Sequence, residues 1–168
     1  MFREDYLLRS IQQVTAAVGE ILGLTRLQKY PQALAEVDRA LQSFAGLNLS
    51  LVTALPAPEL VDLTRMGERL DVGKLIALAD LLQAEGDIYA AQAQPAEAAE
   101  RHLKSLELTL EVAFASEHNL LPAAPRAAGL VERLAAVTLP PDLSEWLAHY
   151  QELVRADAAG GESPPRVE

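Results

Sequence analysis

The chain has no cysteine, which excludes disulfides, thiolate metal sites and cysteine nucleophiles. Histidine is scarce: His102, His118 and His149 are the only three. None sits in a Gly-x-Ser-x-Gly elbow or another known nucleophile setting. EF-hand, Walker and dinucleotide glycine patterns are missing too. Aromatic residues are 5% of the chain, which argues against sheet, since strands draw on aromatic and β-branched residues. No apolar run approaches the ~18–20 residues that span a bilayer. The opening MFREDYLLRS carries Glu4 and Asp5 and lacks the basic-then-apolar order of a secretory signal, so the cytoplasm is the expected compartment. Positive charge is short as well: 14 Lys and Arg stand against 24 Asp and Glu, a net charge of −10. Such a surface repels phosphate backbones and anionic lipid, so neither nucleic acid nor membrane is an expected partner.

What remains is a chain of 168 residues, half of them apolar, long enough for one domain with a real core. Ala and Leu dominate, and both enter helices at little cost. Arg outnumbers Lys, which with the Ala richness suggests a GC-rich bacterial source. Apolar residues recur at helical spacing almost throughout. The spacing predicts a first helix from about Glu4 to Leu24, with Leu7, Ile11, Val14, Val18, Ile21 and Leu22 on its stripe. Pro31 opens a second, where its missing N–H costs nothing, and Gly46 stops it. The segment from Leu47 to Asp71 is less regular, with a short helix expected over 59–66. Asp71 is a plausible N-cap for a fourth helix to about Ala93, with Leu75, Leu78, Ala79, Leu82 and Tyr89 inward. Within it, Gly73 and Gly86 mark close approach of a neighbour. Pro95 begins a fifth helix to about Ser116. Pro122 and Pro125 interrupt the chain before a sixth over 126–137. Asp142 and Glu145 fit a capping box for a seventh, whose buried face carries Leu143, Trp146, Leu147 and Tyr150. No segment alternates long enough to argue a strand.

The stretch KYPQALAEVDRAL, Lys29 to Leu41, has the spacing of the second helix of a tetratricopeptide repeat: Tyr30, Ala33, Val37, Ala40 and Leu41. Its first-helix signature is poor, with Glu20, Ile21 and Leu24 where Leu, Gly and Tyr are usual. A second match lies at Gly86, Tyr89, Ala98 and Leu106, with His102 at a bulky position and Ser105 replacing an Ala. Ala33 and Ala98 stand 65 apart, just short of two units of ~34 residues. The expectation is therefore an all-α fold of antiparallel helical hairpins, tetratricopeptide-repeat-like, with about seven helices. One domain spans 1–156, with hairpins at about 4–46 and 72–116, the inserted helix, and a C-terminal helix pair at about 126–156. Residues 157–168 have almost nothing to bury and are expected to be disordered.

A more specific likeness rests on Asp5-Tyr6-Leu-Leu-Arg9-Ser-Ile11, Ile21-Leu-Gly-Leu24, KYPQALAEVDRAL and Leu78-Ala-Asp-Leu-Leu82 with Glu85-Gly86. Together they resemble a bacterial family of unknown function across about residues 4–115. The resemblance implies a tetratricopeptide-like helical fold and no established activity, so no catalytic residue is carried over.

The chemistry-bearing side chains leave little to assign. His102 reads as a structural histidine. Glu145, His149 and Glu152 share one helical stripe, but no second ligand set accompanies them, so no metal is expected. Asp80, Glu85, Asp87, Glu97 and Glu100 cluster around the fourth and fifth helices, and a solvated acidic face is the simplest reading. A clamp for a peptide carboxylate is not expected, because the two asparagines, Asn48 and Asn119, are not mid-helix. No catalytic, cofactor-binding or metal residue is assigned. The expected function is a protein–protein interaction or scaffold module with a protein or peptide partner. The wide apolar face of the first helix, to which Tyr6 and Leu24 also belong, together with Trp146 and Tyr150, adds self-association as a homodimer. The alternative is a small-molecule sensor or enzyme with an acidic pocket between helices.

Overall fold

Eight helices and one two-stranded hairpin make up the computed structural model, which describes residues 2–115 and 120–160, with side chains for 5–115 and 123–160. In chain order they are α1 (Phe2–Arg26), α2 (Tyr30–Ala45), α3 (Leu49–Ala54), α4 (Ala57–Leu63), β1 (Arg65–Met66), β2 (Arg69–Leu70), α5 (Val72–Ala91), α6 (Pro95–Ala115), α7 (Leu120–Arg133) and α8 (Pro141–Gly160). The all-α expectation holds, and its local signals are visible. Pro31 is the second residue of α2, and Gly46 ends the helix at φ +70 with its N–H bonded to Gln42 O. Asp71 caps α5 by accepting from Lys74 N at 3.1 Å. The side chain of Asn48 caps α3 in the same way through Leu51 N at 2.8 Å.

Several boundaries differ from the sequence expectation. The helix expected over 59–66 is α4, which ends at Leu63. Beyond it the chain turns into β1 and β2, paired Arg65 with Leu70 and Met66 with Arg69. Gly67, at φ +70, opens the two-residue turn between them, the backbone that tight hairpins demand. Strands of two residues are too short to display alternation. α3 was not anticipated either, because six residues hold no full apolar period. α7 runs through Pro122 and Pro125, which were expected to precede it. Pro122 falls in the first turn, where no intrahelical donor is needed, whereas Pro125 lies inside the helix, where its missing N–H costs the ladder one bond. Asp142 lies in the first turn of α8, behind Pro141, and so is not the cap residue that a capping box needs. Residues 157–160 of the segment expected to be disordered continue α8; the rest of it lies outside the described residues, as do His118 and Asn119.

The helices pair as hairpins. Ser105 on α6 bonds to Ala79 O on α5, and Arg101 further back reaches Glu85 further on, so α5 and α6 run antiparallel. The α1–α2 and α5–α6 connections repeat each other bond for bond at an offset of 65. Lys29 N bonds to Leu24 O and Gln94 N to Tyr89 O, both at 2.9 Å. Gln28 N bonds to Thr25 O and Ala93 N to Ala90 O. Gln28 and Ala93 both adopt φ +58. Ala33 and Ala98 are each the fourth residue of their helix, and both are buried.

α5 is the central helix, packed by α1, α2 and α6. From Leu75 to Ile88 it is buried nearly all round, Ile76, Ala77, Leu81 and Ala84 included. A single inward stripe was expected there. The main core joins it to Ile21, Val37, Leu41, Val52 and Leu60. A second core forms from Leu130, Leu134, Leu143, Leu147 and Tyr150. α6 serves both: Leu108 and Val112 face the first, Leu106 and Leu110 the second. Phe114 closes the second core, stacked on Trp146 with centroids 5.7 Å apart.

Candidate functional site

The acidic cluster is only partly the solvated face expected of it. Glu97 and Glu100 are exposed, but the other three carboxylates are bound by arginines. Asp80 takes a bidentate fork from Arg126 at 2.9 and 3.1 Å, and Asp87 one from Arg133 at 2.7 and 3.0 Å. Each pair is 46 positions apart, so α7 runs parallel to α5 with two matched rungs between them. Asp87 Oδ1 also lies 2.9 Å from His102 Nε2 of α6. Burial pushes the Asp87 carboxyl up, but the hydrogen bonds from His102 and Arg133 outweigh it and leave it below its ordinary value. The ring of His102 lies so close to α5 that a Cβ on Gly86 would come within 2.5 Å of it. That is the close approach a mid-helix glycine signals.

Glu85 is 1% exposed. Its Oε1 accepts from Arg101 Nε at 2.9 Å, and its Oε2 has no partner among the described residues. Burial raises its carboxyl above the usual range against the pull of Arg101. Arg101 also reaches Glu100 and lies 5.4 Å from the centroid of the Tyr89 ring. Beside this pair, Lys104 Nζ donates to Val52 O at 3.0 Å and Thr53 O at 3.1 Å, near the C-terminus of α3. Burial lowers its pKa. Glu85, Tyr89 and Arg101 line a groove of about 670 Å³ together with Asp38 and Ser50.

His102 is committed to Asp87, and His149 is exposed on α8 against Phe114. Among the described residues, no three His, Asp or Glu side chains converge on a point where a metal ion could sit.

The large exposed apolar side chains lie elsewhere. Trp146 and Tyr150 pack into the second core. Tyr6 of α1 is 77% exposed and Met66 of the hairpin 71%. They flank a groove of about 420 Å³ between the start of α1, the hairpin and the start of α5, floored by Leu7, Phe44, Leu70 and Val72. Arg69 and Lys74 stand in its wall. The wide apolar face of α1 pointed to Tyr6 and Leu7. Met66, Arg69 and Lys74 were missed, because only the hairpin fold brings them to α1. Comparison with protein-family models, curated proteins and solved structures finds no match.

Proposed function

We propose that this chain is a protein-interaction module, a cytoplasmic helical scaffold of hairpins arranged in the manner of tetratricopeptide repeats. The observation that carries the reading is the groove beside Tyr6 and Met66. Large apolar side chains left in water beside a concave apolar floor mark a contact surface. The repeated α1–α2 and α5–α6 turns support the repeat-like arrangement. Helical-hairpin stacks commonly present such grooves to peptide segments.

The alternative, a sensor or enzyme with an acidic pocket, draws less support. Its best carboxylate, Glu85, is neutralised by Arg101, and Asp80 and Asp87 are neutralised by arginines of α7.

The test is capture from a native lysate of the source cell with the wild-type chain and with Tyr6→Ser/Met66→Ser, both checked for helical content. The wild type should retain a defined partner that the variant loses. Equal retention by both, or nothing above a blank support, contradicts the reading.

A further inference from the structure

Resting on that interaction reading, we infer that the groove beside Tyr6 and Met66 takes an acidic peptide segment carrying apolar side chains. Three charged residues line it: Arg69, Lys74 and Asp71. Asp71 is half-buried, and its Oδ1 is engaged at the cap of α5. Neither the guanidinium of Arg69 nor the ammonium of Lys74 has a carboxylate partner among the described residues, and neither residue is among those whose contacts extend to undescribed ones. Most other arginines on the folded body are neutralised: Arg39 by Glu36, Arg65 by Asp62, Arg101 by Glu85, Arg126 by Asp80 and Arg133 by Asp87. A chain with a net charge of −10 thus presents two unneutralised cations beside its most exposed apolar side chains. Asp5 and Glu68 are neighbours in sequence but do not line the groove.

This arrangement selects among occupants. An apolar segment fills the floor between Leu7, Phe44 and Val72. Carboxylates flanking it meet Arg69, whose planar fork suits them, and Lys74 as a point charge. A second copy joined groove to groove is disfavoured. A two-fold contact places the same patch on both sides, so Arg69 and Lys74 of one copy would approach those of the other. A basic segment would meet the same cations unscreened.

The test is selection from a random-peptide display library on the immobilised full chain, followed by affinity measurement of the enriched peptides. Enriched sequences should be acidic and apolar, and their binding should weaken with salt. Arg69→Glu/Lys74→Glu should weaken them by about tenfold or more. Arg26→Glu/Arg155→Glu, the same change of net charge away from the groove, should leave them within about twofold. Should the first pair unfold the chain, Arg69→Gln/Lys74→Gln should weaken binding in the same direction. Enriched peptides that are neutral or basic, or acidic peptides indifferent to the groove pair yet lost in Tyr6→Ser/Met66→Ser, overturn the acidic-segment inference and leave the interaction reading standing. No enrichment above a blank support overturns both. Sedimentation that shows a dimer dissociated by Met66→Ser makes the occupant a second copy and also overturns the inference.

Discussion

Asp87 on α5 and Arg133 on α7 meet in a fork at 2.7 and 3.0 Å, and the same carboxylate holds His102 of α6 at 2.9 Å. One side chain therefore joins three helices. Asp87→Asn keeps the shape but cannot receive the fork, and should cost about 1.5–3 kcal/mol, the range for hydrogen bonds to charged groups. The folded carboxyl lies below its ordinary value, so its stabilisation is present above the unfolded value of about 3.9 and is lost as pH falls through the folded one. Urea unfolding of wild type and variant across pH should show a full difference near neutrality that shrinks in acid. A difference that persists in acid would mean that the fork is not its source.

The Glu85–Arg101 pair is predicted to be asymmetric under mutation. Arg101→Met strands the buried Glu85 carboxyl and should cost about 3–5 kcal/mol, whereas Glu85→Leu leaves Arg101 its pairing with exposed Glu100 and should cost less. The double replacement should cost less than either single one, because an apolar pair of similar volume leaves no charge behind. Glu85 titrates in the opposite sense to Asp87. Burial raises its folded carboxyl, so it adds stability below the ordinary glutamate value, and that contribution is lost as pH rises through the folded one. Thermal melts of all four chains at neutral pH provide the check.

Gly86→Ala should be destabilising by about 1–3 kcal/mol, the range for overpacking a filled core. The new methyl would lie 2.5 Å from the His102 ring. His102→Ala in the same chain should recover part of the loss, a coupling that a double-mutant cycle measures. No recovery would place the strain elsewhere.

Gln28 and Ala93 hold φ +58 at equivalent places in the two repeated turns. A side chain in that region is strained, so Gln28→Gly and Ala93→Gly should each stabilise by up to about 1 kcal/mol. The double variant measures any coupling between the two turns, which Tyr30 Oη joins by donating to Ala91 O at 3.3 Å. Melting temperatures that fall with either change would contradict the turn geometry.

How legible the fold was depends on how local its signals are. Pro31, Gly46, Asp71 and Pro95 act within a turn of where they stand, and α2, α5 and α6 begin or end beside them. The 65-residue offset between Ala33 and Ala98 was readable for the same reason. The burial of α5 was not readable. Asp80, Glu85 and Asp87 resemble a wet face until Arg126, Arg101 and Arg133 arrive from 16 or 46 positions away. The groove was half visible. Tyr6 and Leu7 widened the apolar face of α1, but Met66 and Arg69 join them only through a hairpin too short to leave a pattern.

The groove itself can be probed by a photo-crosslinking residue placed at Met66 or at exposed Glu97. Glu97 lies at the far end of the α5–α6 hairpin, about 30 Å along a 20-residue helix. After irradiation in native lysate, docking at this groove predicts a defined adduct from position 66 that is absent from position 97. Equal labelling at both positions, or no adduct at 66, would contradict it.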